Sequence, residues 1–251
     1  MAIASVTGAG RGIGQAIAIA LARAGFDLVL NDLSEEALAE TAAAVVACGR
    51  SHALVAGDIG ADAARIGDSM AGALGPLHCH VNNAGVPMRQ RGDLLEGGAD
   101  EFDHVMGINL RGTFLLTQAI ARRMAGEAAS PGTARSIITV TSASAILASP
   151  ERGAYCISKA GASMMVKLFA LRLAEHGIMC HEIRPGVIHT PMTAPVSARY
   201  DAMIADGLTP VARWGEGEDV ARTVASLATG ALPFSTGDAF HVDGGLHLHR
   251  L

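Results

Sequence analysis

Aromatic side chains are scarce in this sequence: six Phe, two Tyr and one Trp make up 4% of its residues. A core with so few rings has to be filled by aliphatic groups, and alanine, which lets helices sit close to a sheet, supplies much of the apolar mass. Charge is also thin, at 17% of residues, against roughly 25% in average chains. Little of the chain is left for a solvated surface, which suits a compact fold that also buries surface between subunits. There is no excess of positive charge. Nineteen basic residues face 24 acidic ones, for a net charge of −5, and without a basic stripe nucleic-acid binding is not expected. Cys48, Cys79, Cys156 and Cys180 form no CxxC, which argues against a zinc knuckle or a thioredoxin-type pair. Reduced, buried thiols are the expectation. No apolar run reaches the roughly 18 residues of a membrane span. The run Ile17–Ala22 behind Arg11 looks faintly like a signal peptide, but a strand precedes it and glycines at a functional spacing lie between, so it reads as a helix. The chain is expected to be cytoplasmic, without a membrane partner.

Glycine is the residue in excess. Thirty occur among 251 residues, about 12% against roughly 7% in average chains. Around them, strand-like and helix-like segments alternate. Strands are expected at Ile3–Val6, Asp27–Asn31, Ala53–Ala56, Cys79–Val81, Ile137–Thr141 and Met179–Ile183. Helices are expected at Ile13–Arg23, Ser34–Ala47, Ala61–Ala73, Asp100–Met124 and Ala154–His176, with Ser34 as an N-cap. This alternation implies βαβ units and a parallel sheet. No linker or repeat divides the chain, so residues 1–251 read as one doubly wound α/β domain. Two stretches depart from the pattern. Gly126–Arg135 reads as a polar surface loop. Pro185–Gly207, with three prolines and little strand character, follows the sixth strand at the edge where ligands bind in such folds, and is a candidate lid.

The first strand runs into Thr7-Gly8-Ala9-Gly10-Arg11-Gly12-Ile13-Gly14 and then a helix. Glycine permits positive φ and close approach to a ligand, while the helix start offers free N–H groups to a phosphate. The strict G-x-G-x-x-G spacing fails; T-G-x-x-x-G-x-G fits, through Thr7, Gly8, Gly12 and Gly14. Asp32 ends the second strand 20 residues after Gly12. A carboxylate there can accept hydrogen bonds from an adenosine ribose and repels a 2′-phosphate. This favours NAD(H), with NADP(H) as the second choice because Arg11 could face such a phosphate.

At this point the whole chain resembles the short-chain dehydrogenase/reductase family, in its branch of roughly 250-residue members. The resemblance rests on TGAGRGIG at 7–14, Asp58, Asn82-Asn83-Ala84-Gly85, Asn109, Ser142, the Tyr155-x-x-x-Lys159 pair and Arg184-Pro185-Gly186, all in family order. It implies a single Rossmann domain with a seven-stranded parallel sheet flanked by helices on both faces. It further implies that Gly8, Arg11, Gly12, Ile13 and Gly14 hold the cofactor's pyrophosphate end, with Asp32 and Leu33 at its adenosine. Asp58 and Ile59 would lie by the adenine. Asn83, Ala84 and Gly85 would line the ribose. Pro185, Gly186 and Ile188 would hold the nicotinamide, with Thr190 at its carboxamide. Tyr155 and Lys159 contact the cofactor as well.

Tyr155 and Lys159, four residues apart, share a helix face. A free tyrosine titrates near pH 10, and a neighbouring ammonium favours the phenolate. The phenol can then exchange a proton with a substrate oxygen while hydride moves to or from the nicotinamide. Ser142 can orient that oxygen, with Ser144 and Thr141 as nearby alternatives. Asn109 sits in a long helix where asparagine is a poor former, which hints at a local distortion; the family places it in a proton relay behind the lysine.

The function expected is interconversion of a secondary alcohol and a ketone, with a small alcohol, sugar or polyol as substrate. A 3-oxoacyl-acyl-carrier-protein reductase is the alternative. Arg122 and Arg123 could meet an acidic carrier, but the basic position after the catalytic lysine falls at Leu171, beside Arg172. A non-catalytic dinucleotide sensor would not need Ser142, Tyr155 and Lys159. His78-x-His80 and His247-x-His249 lack an evident third ligand, so no metal is expected. The substrate pocket should draw on Ala143–Arg152, Val86–Asp93 and Thr190–Gly207, with Met88, Arg89, Met192 and Met203. The long helices are expected to pack across a dimer axis, within a homodimer or homotetramer.

Overall fold

The computed structural model describes residues 2–127 and 133–248. Seven parallel strands form one sheet in the order β3-β2-β1-β4-β5-β6-β7. They are β1 (Ile3–Thr7), β2 (Asp27–Asp32), β3 (His52–Ala56), β4 (Cys79–Asn82), β5 (Arg135–Val140), β6 (Ile178–Pro185) and β7 (Ala239–Val242). Strand order reverses between β1 and β4, which opens a crevice at their carboxyl ends. The doubly wound Rossmann architecture expected from the sequence is what forms.

Alternation along the strands builds two cores. Ala4 and Val6 of β1, Leu28 and Leu30 of β2, and Ile138 and Val140 of β5 face one side. There they meet Ile17 and Leu21 of α1 (Gly12–Arg23), Val45 of α2 (Glu35–Ala47), and Val220 and Val224 of α8 (Gly217–Ala228). Ile3, Val29 and Ile137 face the other side. There they pack on Ile66 and Met70 of α3 (Ile59–Gly72), Leu116 and Ile120 of α5 (Thr113–Gly126), and Val166 of α6 (Gly153–Leu173). The short helices α4 (Ala99–Met106) and α7 (Ser197–Ala205) complete the set.

A buried polar chain runs through this second face. His80 lies 2.8 Å from the Ser5 hydroxyl and 3.0 Å from Asn82 Oδ1. Asn82 donates to the hydroxyls of Thr117 and Thr139, so its oxygen takes the proton of His80 Nε2 and Nδ1 accepts from Ser5. Burial pushes His80 down to about 4, and the ring stays neutral. His78 is spent as well, accepting the Ile3 N–H at 3.1 Å. Cys79 and Cys180 are free, buried thiols pushed up to about 12, while Cys48 and Cys156 are half-buried.

Three expectations need correction. The helix expected over Asp100–Met124 is broken by a π-helical turn at Gly107–Gly112, which contains Asn109. The stretch expected to lack regular structure begins as the end of β6 and contains α7. Strand β7 and helix α8 were not among the elements read from the residues. In α8, Val220, Val224 and Leu227 recur at helical spacing behind a capping box formed by Glu216 and Asp219. Of the polar loop at Gly126–Arg135, residues 128–132 lie outside the described residues, as does His249.

Candidate active site

The glycine turn lies between β1 and α1. Gly8 and Gly12 adopt positive φ, +62° and +59°, which L side chains rarely tolerate. Gly14 packs so close to the Gly8 carbonyl that an added Cβ would come to 2.0 Å from its oxygen. The first turn of α1 has no side-chain cap and no acidic residue, so its N–H groups remain free for an anion. Thr7 Oγ1 accepts the N–H groups of Asn83 and Ala84, both at 3.0 Å. The Asn83 amide donates back to the carbonyl oxygens of Thr7 and Gly8. Asn83 thus works as a clamp across the crevice. Asp32 accepts Gly10 N–H through Oδ2 at 2.9 Å and Leu33 N–H through Oδ1 at 2.8 Å. Asp58 caps α3 by accepting Gly60 N–H at 2.7 Å.

Above the switch point lies a cavity of about 730 Å³. It is lined by every residue that the sequence assigned to the cofactor, from Gly8, Arg11, Gly12, Ile13 and Gly14 to Pro185, Gly186, Ile188 and Thr190. The glycine cradle, the free helix terminus and the carboxylate of Asp32 fit a dinucleotide. Ser142, Tyr155 and Lys159 line the same cavity. Asn109 stands behind it: its side chain accepts Val86 N–H at 2.8 Å and donates to Val86 C=O at 2.9 Å and to Ser158 Oγ at 3.2 Å. The π turn aims this amide at the loop after β4, not back at its own helix.

All three hydroxyl candidates line the cavity, and the hydrogen bonds set Thr141 apart. Thr141 is buried and spent on Glu182 at 2.6 Å, and Ser144 is buried. Ser142 Oγ accepts Ser144 N–H at 3.0 Å, which leaves its proton to donate. Burial raises the Tyr155 phenol above its ordinary value, opposed by the Ser142 hydroxyl and the Arg152 guanidinium. The expected acidifier, Lys159, acts less directly. Its ammonium lies 5.7 Å from the Tyr155 ring centre and donates to Val140 C=O at 3.2 Å. Burial pushes Lys159 down to about 8, against the pull of Glu182. Glu182 is itself buried and paired with Arg184 at 2.8 Å, and it accepts from Ser163 at 2.7 Å.

His104, Ile108, Leu208 and Leu246 line the cavity from outside the segments expected to form it. Gly10 matters because a Cβ there would strike the Ala37 carbonyl oxygen at 2.4 Å. Arg152, Arg199 and Tyr200 line the cavity with Met88, Met192 and Met203, whereas Arg91 takes the place expected for Arg89. Arg89 is instead held at the surface, its N–H bonded to Glu101. Arg122 and Arg123 lie at the wrong end of the fold to flank the cavity. Arg135, which starts β5, donates to Met124 C=O at 2.8 Å, so the end of α5 sits at the amino edge of the sheet. His247 meets His241 and Asp243, their ligand atoms within 4.8 Å of one another. The two rings stack at 3.8 Å and 25°, and both Nδ1 atoms lie beside Asp243 Oδ2, at 3.6 Å for His241 and 2.7 Å for His247. Asp243 is already bonded to His247 at 2.7 Å and to Gly245 N–H at 2.9 Å.

A family model described as enoyl-(acyl carrier protein) reductase matches residues 8–247. The (3R)-3-hydroxyacyl-CoA dehydrogenase of Canis lupus familiaris is 34% identical over 98% of this chain and 96% of the relative. The structure of a 3-oxoacyl-(acyl-carrier protein) reductase from Brucella melitensis in complex with NAD superposes with a TM-score of 0.93. It is 44% identical and covers 100% of this chain and 98% of that one. A putative 2-deoxy-d-gluconate 3-dehydrogenase from Agrobacterium tumefaciens with bound NADP gives a TM-score of 0.88 at 31% identity, over 98% of this chain and 96% of that one. With the site geometry and these matches together, the chain is a member of the short-chain dehydrogenase/reductase family of oxidoreductases, which bind NAD or NADP.

Proposed function

We propose that residues 1–251 act as one catalytic unit that interconverts a secondary alcohol and a ketone with NAD(H), accepting NADP(H) less well. The observation that carries this reading is the convergence of Ser142, Tyr155 and Lys159 on the cavity that the glycine turn and Asp32 also line. The dinucleotide supplies the hydride acceptor or donor. Ser142 donates a hydrogen bond to the substrate oxygen and fixes its position. The Tyr155 phenol oxygen takes the alcohol proton in oxidation and returns it in reduction. Lys159 places a positive charge behind the ring, held by Val140 C=O. Asn109 positions the Val86 loop. No step calls for a metal.

The proposed substrate is a small alcohol, sugar or polyol. A 3-oxoacyl-acyl-carrier-protein substrate is the second reading, supported by the similarity to the Brucella reductase. A panel of secondary alcohols, polyols and acyl-thioester ketones, each assayed with both cofactors, tests the proposal. Turnover with NAD(H) is expected. Tight dinucleotide binding without turnover of any member would favour a sensor instead.

A homodimer or homotetramer is proposed as well. Ile157, Met164, Leu168 and Leu171 form an exposed stripe on α6, and Phe114 of α5 is exposed nearby against Phe169. Contiguous apolar surface of this kind marks an interface. Among the described residues no helix is long and apolar enough to cross a membrane, and a cytoplasmic location is part of the proposal. Sedimentation should give a species larger than 25.6 kDa; a monomer at micromolar concentration would remove the oligomer.

A further inference from the structure

Arg152 is a cavity residue that neither the dinucleotide cradle nor the proton-transfer group accounts for. It closes the short 3-10 turn Pro150–Arg152 directly before α6. Its guanidinium carbon lies 5.7 Å from the centre of the Tyr155 ring, and its Nε reaches the Ser149 hydroxyl at 3.3 Å. Among the described residues no carboxylate lies within ion-pair distance of it. Its neighbour Glu151 also lines the cavity, but is turned to Arg199 of α7 at 3.5 Å. Met88, Leu147, Met203 and Leu208 line the same cavity, together with the polar side chains of Arg91, His104, Ser149, Arg199 and Tyr200.

A half-buried cation without a counter-ion, beside the ring that moves the proton, is an uncompensated charge. Its desolvation is recovered when an anion binds through charge-assisted hydrogen bonds. Place limits what that anion can be. The phenol oxygen sits on the rim of the ring that Arg152 overlooks, so a group held by Arg152 is a few bonds from the substrate oxygen at Tyr155. A carboxylate on a short hydroxy acid meets that limit. The phosphates of a thioester carrier lie many bonds from the reacting carbonyl and do not.

We propose that Arg152 anchors a carboxylate on the substrate, which makes the substrate class hydroxy acids and the corresponding oxo acids. This rests on the alcohol–ketone reading of the site and narrows it. Arg152 is then the specificity-determining residue that favours acids over their neutral esters. Binding the anion also offsets the charge that helps acidify Tyr155, so Arg152 links substrate recognition to the proton-transfer group.

The test titrates 3-hydroxybutanoate, gluconate and methyl 3-hydroxybutanoate calorimetrically into the protein saturated with NADH. The same compounds are then assayed for oxidation with NAD, using the parent, Arg152→Gln and Arg152→Lys. At least one acid should bind in preference to the ester. Arg152→Gln should weaken that acid roughly 10- to 100-fold, the size of a lost charge-assisted bond, mostly in KM. Arg152→Lys should restore part of the loss. Equal binding of acid and ester, no binding of either acid, or equal losses for acid and ester in Arg152→Gln would overturn the inference. Turnover of neutral alcohols alone would overturn it and leave the alcohol–ketone reading standing. Arg152-dependent acid binding without turnover would support the anion site and count against that reading.

Discussion

Asp32 accepts the N–H of Gly10 at 2.9 Å, so a carboxylate that lines the cavity is also a strut of the glycine turn. This couples cofactor choice to the shape of the turn. Asp32→Ala should lower the ratio of kcat/KM for NAD over NADP by about 10-fold or more, because it removes a charge that repels a 2′-phosphate. It should also raise KM for both cofactors, because the turn loses its strut. Fluorescence titration with NADH and NADPH separates the two effects. A parent protein that binds NADPH more tightly than NADH would refute the Asp32 argument.

Tyr155→Phe should cut turnover by about 100-fold or more, the contribution of a positioned acid or base, while NADH binding changes little. Loss of both together would mean that the ring is structural. In the cofactor-free protein burial holds the phenol above its ordinary range. Alcohol oxidation needs the phenolate, so its rate should climb with pH across the neutral and mildly basic range. Ketone reduction needs the phenol and should stay flat there. A phenolate difference spectrum should shift to lower pH when oxidised NAD is added, since its positive ring favours the anion.

Lys159 sits about 8 in the fold, from an ordinary 10.5. Below about 8 both folded and unfolded chains carry the proton, and the fold bears the cost of a buried ammonium. Between about 8 and 10.5 the unfolded chain binds more protons, so stability rises with pH through this window. Lys159→Met should therefore be more stable than the parent at neutral pH, since it removes the buried ammonium. That advantage should shrink as the pH approaches 10.5, while turnover is lost throughout. Urea melts at several pH values check this. A variant less stable at neutral pH would contradict it.

Thr7→Val should destabilise the fold by about 1 kcal/mol or more, since it leaves two half-buried N–H groups without their acceptor. Those are the N–H groups of Asn83 and Ala84. The same change should weaken dinucleotide binding, because the clamp spans the crevice between β1 and β4. Thermal melts with and without NADH give both quantities, and an unchanged NADH affinity would show that the clamp serves stability alone.

Much of the cofactor end was legible because its chemistry is local. Gly8, Gly12, Gly14 and Asp32 lie within one βαβ unit, where backbone conformation and helix polarity follow from nearby residues. Tyr155 and Lys159 were legible for the same reason, sharing one helix face. The π turn at Asn109 was visible only as a poor helix former, since its target, Val86, comes from another strand's loop. Strand β7 was missed because Ala239–Val242 is a short edge strand whose pairing to β6 carries no local signal. Gly10 was passed over because what forbids a side chain there is the Ala37 carbonyl, which belongs to the next helix.

The sequence by itself determined the alternation of strands and helices, the glycine turn ahead of α1, and the spacing of Tyr155 and Lys159 on one helix face. Each depends on backbone conformation and on side chains a few residues apart. Only the tertiary structure decided that Thr141 is spent on Glu182, which cation stands beside Tyr155, and why Lys159 is pushed down. Those depend on burial and on partners brought from β5, β6 and the turn before α6. Desolvation and unpaired charge are properties of the packed whole, and no stretch of sequence states them.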